Sequence, residues 1–505
     1  MKKSIALWAA IISLALALSG CVFRGQETRT VSQISLPESD DEPENMILGE
    51  TMLGNLSEVS LYYAATDGSS FSTVRRSLRT EAGESVPEAA VRALLSSPGP
   101  TGVRTAGDVR VLSFEYACGT VTVNLSIDAR AAQSPQELLA LEASIGNTLL
   151  GIGGVRGVNV LIADVSESCC QLPTGVQTET VASVAAAYAQ YQAERDRIAQ
   201  SGAAPVSRNA LVYFPTDDGH WLVPELRSIS VTSDTFATAL IDALKAGPKD
   251  VSCAVPSIPE GAELLEDRPV IETLASGERV LSMNFSSTLA NYLAFSGLEV
   301  WELAGSLALT MTSFLPELDA VRVMVNNDPV TMCALGDDII RFEDGLIRRR
   351  HFADRIGSTA TLFLIDASDE LRGIERAVSM RSALSPQSLL TELFRYAGAE
   401  SGALRLPISA VLRPEDLLGV QTVGNVARLN LSGNFYRLCQ TLSPRGERDL
   451  IYAIVNTLCS LESIRAVRFY IEGRAADTLA GTIYLKSVIM PNPGIVAPSA
   501  IENGD

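Results

Sequence analysis

A short phrase, an apolar residue followed by asparagine, a second apolar residue and serine, occurs three times in this chain of 505 residues. It is VNLS at residues 123–126, MNFS at 283–286 and LNLS at 429–432. A phrase used in this way is either a catalytic signature or the same structural position in a repeated fold. The segments around the three copies must therefore be compared before single elements are assigned.

The three phrases lie inside three segments of the same pattern. Each segment opens with a run of strand-forming residues, VSLYYAA from Val59, ALVYF from Ala210 and ATLFLI from Ala360. A helix with apolar residues at three-and-four spacing follows, then the strand with the phrase, a second helix and a closing strand. The second helices align at three threonines, Thr148, Thr310 and Thr457. The sequence predicts an α+β protein of three tandem small α/β repeats, each a short β-sheet with two helices in the order strand, helix, strands, helix, strand.

The connecting segments set the predicted domain limits. In chain order these are a signal peptide (1–20), an acidic flexible spacer (21–56), repeat 1 (57–168), a linker with a helix (169–207), repeat 2 (208–334), a hairpin linker (335–357), repeat 3 (358–487) and a C-terminal tail (488–505). The linker helix is predicted over 181–200 because that stretch is rich in alanine and other good helix formers, with a partner-binding helix as the alternative. The hairpin is expected to turn at Glu343–Gly345. Its Arg348–Arg350 run is expected on a solvated face, with a site for an acidic partner as the alternative.

The N-terminus has the organisation of a secretion signal. Two lysines precede an almost wholly apolar run at residues 5–18, which is too short for a membrane span. The run ends in LSGC at 18–21, which resembles the lipobox of bacterial lipoproteins and implies cleavage before Cys21 and a diacylglycerol on its sulfur. An ordinary signal peptide with a chance cysteine is the alternative. No later apolar run is long enough to span a bilayer, so the lipid on Cys21 would be the only anchor.

Charge and composition exclude several classes of partner. The formal net charge is −19, with 47% hydrophobic and 20% charged residues. This composition is globular. The acidic balance argues against nucleic acid and against docking onto anionic lipid, because both require a basic face. The predicted contact with the membrane is therefore made by the lipid alone.

The sequence lacks the residue patterns of known catalytic sites. A serine nucleophile needs a general base, and neither His220 nor His351 recurs in the other copies. No phosphate-binding glycine loop, nucleophile elbow or paired-histidine zinc motif occurs. The sequence predicts no catalytic residue, no cofactor and no metal site. Side chains of the phrases are expected instead to bond nearby backbone where the chain leaves the sheet: Asn124, Ser126, Asn284, Ser286, Asn430 and Ser432.

Seven cysteines follow Cys21. In an exported protein they can pair. The candidate pairs within or beside each repeat are Cys118 with Cys169 or Cys170, Cys253 with Cys333, and Cys439 with Cys459. The alternative is that most are reduced, buried residues that serve as small apolar groups. An odd number leaves at least one thiol free within a single chain.

Three repeats of β-run, helix, V-x-V-N-L-S-like strand, second helix and V-R-x-V-x-V-like strand thus follow the LSGC segment. This order resembles the GerMN-domain lipoproteins of sporulation and spore germination, over roughly Val59 to Ala163, Asn209 to Asn326 and Thr359 to Gly473. The resemblance implies domains like the ring-building modules of secretion-type assemblies. It also implies a non-enzymatic protein, lipid-anchored on the outer face of the cytoplasmic membrane, that scaffolds or stabilises a complex of envelope or sporulation proteins.

A second function stays open at the level of sequence. The chain could instead be a ligand-binding or regulatory lipoprotein that modulates a membrane sensor or an envelope hydrolase. A large closed pocket between repeats would favour this alternative, whereas flat surfaces shared by the repeats would favour a scaffold. The sequence does not identify the partner or the oligomeric state.

The lipid anchor gives a first prediction. Changing Cys21→Ala should leave the precursor without lipid while the folded repeats stay intact, because only the sulfur of Cys21 can carry the thioether. Mass spectrometry of the native N-terminal peptide measures this modification. An unmodified Cys21, or cleavage at another position, would contradict the lipoprotein assignment.

Overall fold

The computed structural model describes residues 56–80, 84–96, 108–132, 134–198, 205–231, 236–266, 268–398, 404–408 and 413–498. The predicted signal peptide, Cys21, the spacer before residue 56 and the end of the C-terminal tail lie outside these residues. Within the described ranges, no helix combines the length and the apolar character needed to cross a bilayer.

Repeat 1 contains a long hairpin, two helices and a mixed sheet. Its elements are β1 (Leu56–Ala64), β2 (Phe71–Arg79), α1 (Val86–Ser96), β3 (Val111–Ala117), β4 (Thr120–Leu125), α2 (Pro135–Leu150), β5 (Gly157–Ile162) and β6 (Val165–Ser166). A small hairpin and a helix follow it: β7 (Ser168–Cys169), β8 (Leu172–Pro173) and α3 (Val184–Ile198). The helix α3 confirms the predicted linker helix.

Repeat 2 has the same order with one added short helix before its second long helix. Its elements are β9 (Val206–Pro215), β10 (Leu222–Val231), α4 (Phe236–Ala246), β11 (Val270–Thr273), β12 (Arg279–Phe285), α5 (Leu289–Ser296), α6 (Val300–Phe314), β13 (Ala320–Val325) and β14 (Asp328–Pro329). A hairpin of β15 (Met332–Leu335) and β16 (Asp338–Arg341) follows it.

Repeat 3 again follows this order and adds two short helices. Its elements are β17 (Gly357–Ile365), β18 (Leu371–Ser379), α7 (Met380–Leu384), α8 (Pro386–Gly398), β19 (Leu417–Val423), β20 (Val426–Leu431), α9 (Gly433–Cys439), α10 (Pro444–Cys459), β21 (Ala466–Ile471) and β22 (Arg474–Ala475). The predicted α+β class and the three tandem repeats are confirmed.

Each repeat holds two sheets. The first is a two-stranded antiparallel hairpin, and the second has four strands in sequence order, with the middle two parallel and the outer two antiparallel. In repeat 1 the parallel pair is β4 and β5, and α2 makes the crossover between them, as parallel strands require. Ser134 caps the N-terminus of α2 by accepting a hydrogen bond from the backbone N–H of Glu137.

The predicted order omits one strand in each repeat. The polar stretches after the first strands are the strands β2, β10 and β18, which pair along their whole length with β1, β9 and β17. In β2, sequence FSTVRRSLR, Leu78 is buried but both central arginines are exposed. The charged outward residues hide the alternation from which a half-buried strand is recognised.

A threonine joins the second long helix of each repeat to the opening hairpin. The hydroxyls of Thr148, Thr310 and Thr457 accept hydrogen bonds from the backbone N–H groups of Tyr62, Tyr213 and Phe363, each at 3.0 Å. All three threonines are buried, so these bonds satisfy strand donors that water cannot reach. The threonines at which the sequences align therefore mark a structural contact between helix and strand.

Residues of both predicted linkers and of the predicted C-terminal tail pair with strands of the repeats. Gln177, Ile347 and Ile489 each return to form an antiparallel bridge with the start of the last parallel strand, at Val158, Val321 and Val467. A hairpin is present, but it is formed by β15 and β16 and turns between Leu335 and Asp338, so it begins before the predicted range of 335–357. The predicted turn at Glu343–Gly345 is wrong, because these residues form a 3-10 turn after the hairpin.

Each repeat has its own apolar core, and α6 of repeat 2 is buried on every side. Its residues from Trp301 to Phe314 are all buried. A helix in such a position can be apolar around its whole circumference. It packs on β9 of its own repeat and on β6 of repeat 1, so the core of repeat 2 is closed partly by its neighbour.

Candidate functional site: asparagine clamps and the joint between repeats

The asparagine of each phrase holds a turn on the neighbouring parallel strand. Asn124 donates through Nδ2 to Asp164 Oδ1 at 2.7 Å and accepts from the Asp164 backbone N–H at 3.0 Å. Ala163 and Asp164 both have positive φ, 51° and 72°, as the central residues of a type I′ hairpin turn do. The side chain therefore fixes the turn that joins β5 to β6.

Repeat 2 reproduces this clamp. Asn284 accepts from the Asn327 backbone N–H at 3.0 Å and donates to Asn327 Oδ1 at 2.9 Å, with Glu266 Oε1 as a further acceptor at 3.1 Å. Asn326 and Asn327 again have positive φ. Both asparagines bond to backbone, as predicted, but the prediction that this backbone lies nearby in the sequence is wrong. The turns they hold lie about 40 residues later in the chain, because the parallel partner strand follows a helix.

Repeat 3 has an incomplete clamp. Asn430 accepts from the Gly473 backbone N–H at 2.8 Å, but its Nδ2 has no hydrogen-bond partner among the described residues. Asn430 is fully buried. Gly473 occupies the turn position of Asp164 and Asn327 and has no side chain to accept from the amide. A buried unpaired donor of this kind costs about 1–3 kcal/mol.

The serines of the phrases close the strand ends locally. Ser126 accepts from the Arg110 backbone N–H at 3.1 Å and donates to Asp128 at 2.8 Å. Ser286 shares a hydrogen bond with Thr288 at 2.6 Å. Ser432 caps α9 by accepting from the Phe435 N–H at 3.0 Å. The hydrogen bonds described for these serines reach no histidine.

The seven cysteines are separate thiols in the structure, which contains none of the candidate disulfides. Cys169 lies in a cluster with α2 and α3, whereas Cys118 packs beside Cys253 in a different cluster. Cys333 belongs to the core of repeat 2. Cys439 is buried in the core of repeat 3, against which the half-buried Cys459 packs. Burial raises the pKa of Cys439 to about 12 and of Cys333 to about 11, so both thiols stay protonated at neutral pH.

A buried arginine joins repeat 1 to repeat 2. Arg349 is 2% exposed and forms an ion pair with Glu115 on β3 of repeat 1. It also donates to Ser313 Oγ at 2.6 Å and to the Tyr213 hydroxyl at 3.3 Å, both in repeat 2. Burial alone would lower the pKa of Arg349, but the Glu115 charge and the Tyr213 hydroxyl raise it, so the guanidinium stays charged.

This contact corrects the prediction for the arginine run. Arg349 does not lie on a solvated face, and its acidic partner belongs to the same chain. Arg348 pairs with Glu278, and only Arg350 is exposed. Nothing local in the sequence indicates the pairing, because 234 residues separate Arg349 from Glu115.

Repeat 3 contacts both other repeats. The backbone N–H of Cys118 in repeat 1 donates to Ser358 Oγ at 3.0 Å. In repeat 2, Ser252 donates to Glu375 Oε2 through its N–H at 2.9 Å and its hydroxyl at 2.8 Å. The three repeats belong to one compact unit, in which every pair of repeats is in direct contact.

Two open clefts lie on the surface of the described residues. One, of about 410 Å³, lies between repeats 1 and 2 and is lined by Arg130, Glu167, Ser276, Gly277, Glu278, Arg279, Glu317 and Asp319. The other, of about 300 Å³, lies beside α4 and is lined by Thr238, Ile241, Asp242, Lys245, Glu263, Leu264, Glu266 and Pro269.

The larger cleft is an open, charged surface. Arg130 pairs with Glu167 at 2.7 Å and Arg279 with Glu317 at 3.6 Å, and the side chains of Arg279 and Glu317 are 36% and 52% exposed. Ligand pockets are usually more enclosed and mostly apolar. Within the described ranges, no group of three or more histidine, cysteine or carboxylate side chains is arranged to hold a metal ion.

Comparison with known proteins agrees with the repeat structure. A family model described as "Germane: Sporulation and spore germination" matches residues 60–166, 211–331 and 361–477, which together make up more than half of the chain. Each matched segment coincides with one repeat. No curated protein matches the chain.

Three solved structures are similar to parts of the chain. The tandem GerMN domains of the sporulation protein GerM from Bacillus subtilis are 12% identical, with a TM-score of 0.25, over 58% of this chain and 100% of that one. A Clostridium perfringens protein provisionally described as a lipoprotein is 16% identical, with a TM-score of 0.19, over 26% of this chain and 87% of its own. The first GerMN domain of GerM is 16% identical, with a TM-score of 0.20, over 26% of this chain and 96% of its own.

The incomplete clamp of repeat 3 gives a second prediction. Gly473→Asn should raise the free energy of unfolding by up to about 1 kcal/mol, because it supplies the acceptor that Asn430 Nδ2 lacks and asparagine tolerates positive φ. Gly473→Ala is the matched control and should lower it by about 1 kcal/mol, since it adds the strain of a positive φ without an acceptor. Denaturant unfolding measures both. Equal effects of the two substitutions would contradict the clamp.

Proposed function

Because the chain belongs to the Germane family of sporulation and spore germination proteins and carries three tandem GerMN-like domains, we propose that it is a non-enzymatic scaffold that assembles or stabilises an envelope protein complex. In this proposal the domains are held outside the cytoplasmic membrane by a lipid on Cys21. The partners are other envelope or sporulation proteins, bound through surfaces that the repeats present together.

The observation that carries the proposal is the direct contact between every pair of repeats. The Arg349–Glu115 pair joins repeat 2 to repeat 1, and the Ser358 and Glu375 contacts join repeat 3 to both. The Arg349–Glu115 pair is buried, and a buried contact restricts the motion of one domain against another, whereas flexibly linked binding modules need none. A fixed arrangement of the repeats suits a protein that must hold several partners at fixed positions relative to one another.

The distribution of polar side chains also supports a scaffold. Asn124, Asn284 and Asn430 hold turns, and the serines of the same phrases close strand ends. The recurring polar residues are thus used to build each repeat. A catalytic site would instead need a nucleophile, a base and an orienting group within hydrogen-bond reach of one another.

Exposed apolar side chains supply surface for a protein partner. Phe295, at the end of α5, is 89% exposed, and Ile339 on β16 is 61% exposed. Exposed aromatic residues are frequent anchors of protein interfaces. Both residues lie in repeat 2 or directly after it, so this part of the chain is the preferred place for partner contact.

The alternative role, a ligand-binding or regulatory lipoprotein, has less support. The cleft between repeats 1 and 2 would be the site, but its arginines already pair with its own glutamates. A charged ligand would have to break these pairs before it gained its own. A protein partner that binds a flat surface elsewhere on the repeats would not have to break these ion pairs.

The third prediction tests partner binding by a scaffold. Phe295→Asp should leave folding and abundance unchanged, because the ring contributes little to the core, but should weaken partner capture and lower complementation at least tenfold. Ser296→Asp is the matched control, since it adds the same charge at the next exposed position of α5. The measurement is spore formation and germination in a deletion strain, with abundance and co-purifying proteins recorded alongside.

Two outcomes would contradict this role. The first is full complementation by Phe295→Asp with unchanged co-purification, which would remove Phe295 from any partner surface. The second is a stable, fully abundant Asn284→Ala variant without activity. It would favour a discrete chemical or ligand site at the clamp.

A further inference from the structure

Two adjacent cysteines form the turn that follows repeat 1. Cys169 ends β7, and Cys170 and Gln171 connect it to β8 with positive φ values of 55° and 69°. Successive side chains of an extended strand point to opposite faces, which would keep two neighbouring thiols apart. The turn instead places the Sγ atoms of Cys169 and Cys170 3.9 Å from each other.

The two thiols differ in their access to solvent. Cys169 is 1% exposed and packs against Leu139 of α2 and Val184 of α3. Cys170 is half-buried at the edge of the same cluster. Burial, and then the neighbouring Cys170, raise the pKa of the Cys169 thiol. A reagent in solution therefore meets Cys170 first and Cys169 second.

A buried carboxyl group lies beside the inner thiol. Glu142 on α2 is buried, and one of its carboxylate oxygens has no hydrogen-bond partner among the described residues. Burial raises the pKa of Glu142 to about 8. In its charged form, Glu142 raises the pKa of the Cys169 thiol. At neutral pH Glu142 is therefore mainly the neutral acid, so the base that removes the Cys169 proton must come from the reacting thiol compound.

We propose that Cys169 and Cys170 are a redox-active vicinal pair, which closes to a disulfide on reaction with an oxidising disulfide compound and reopens on reduction. The Cys170 thiolate attacks the oxidant R–S–S–R, which forms a mixed disulfide and releases one thiolate. The released thiolate takes up the proton of Cys169, and the Cys169 sulfur attacks the Cys170 sulfur, which releases the second thiolate. Two thiols are oxidised, and one disulfide is reduced to two thiols.

The Cys169–Cys170 disulfide is a reversible switch and not a bond that stabilises the fold. The Cα atoms of adjacent residues are about 3.8 Å apart across a trans peptide, whereas disulfides usually join Cα atoms about 4.4–6.8 Å apart. The ring is therefore strained, and strained disulfides are readily reduced. The Cys170 thiol also interacts with the Tyr188 hydroxyl of α3 and raises the pKa of Tyr188.

The fourth prediction is tested on the purified full-length protein. It is equilibrated with glutathione disulfide, its remaining thiols are blocked with N-ethylmaleimide in denaturant, and the peptide containing both cysteines is analysed by mass spectrometry. The peptide is expected to be lighter than its reduced form by two hydrogens and to carry no N-ethylmaleimide. An excess of reduced glutathione should restore labelling at both positions.

Two variants keep the test specific. Cys118→Ser should leave the reaction unchanged, which separates the vicinal bond from the Cys118–Cys169 or Cys118–Cys170 bridge that the sequence suggested. Cys170→Ser should leave Cys169 as a thiol that is labelled only after denaturation. Full labelling of both cysteines after oxidation would overturn the proposal, as would a lasting glutathione adduct on Cys170 or loss of the bond in Cys118→Ser.

Discussion

The buried pair of Arg349 and Glu115 fixes how the first two repeats are arranged. A guanidinium that is 2% exposed is tolerated only where its charge and its N–H groups are matched, and Glu115, Ser313 and Tyr213 do this together. Removing one partner of such a pair typically costs about 3–5 kcal/mol, because a buried charge is left alone. The segment after repeat 2 is therefore held against repeat 1, and α6 is buried on all sides because both repeats cover it.

The same three devices recur inside each repeat. A threonine on the second helix satisfies a strand N–H, an asparagine at the end of the central strand holds the next turn, and a returning segment bridges the last parallel strand. These contacts use the polar residues that the repeats share, so the outer surfaces are free to differ. The exposed Phe295 is one such difference, at the end of a helix that has no long counterpart in repeat 1. This division agrees with a scaffold whose repeats share a frame and contact different partners.

The sequence predicted the elements that have a local or repeated signal. Thr148, Thr310 and Thr457 were aligned correctly because spacing within a repeat is preserved, and α3 was recognised from its helix-forming composition. The strand β2 was missed because its outward arginines obscure the alternation. The partners of Arg349 and Asn124 were missed for a different reason: each lies far along the chain, in a strand or turn that becomes a neighbour only after folding.

The central claim, that the repeats form one structure through the buried arginine, is tested most directly by amide hydrogen exchange of Arg349→Met. Arg350→Met is the comparison, because it removes the same charge from the adjacent, exposed position. The account predicts faster exchange in Arg349→Met both around residue 349 and in β3 and β4 of repeat 1, with no change in Arg350→Met. Faster exchange confined to the residues next to 349, with repeat 1 protected as before, would contradict it.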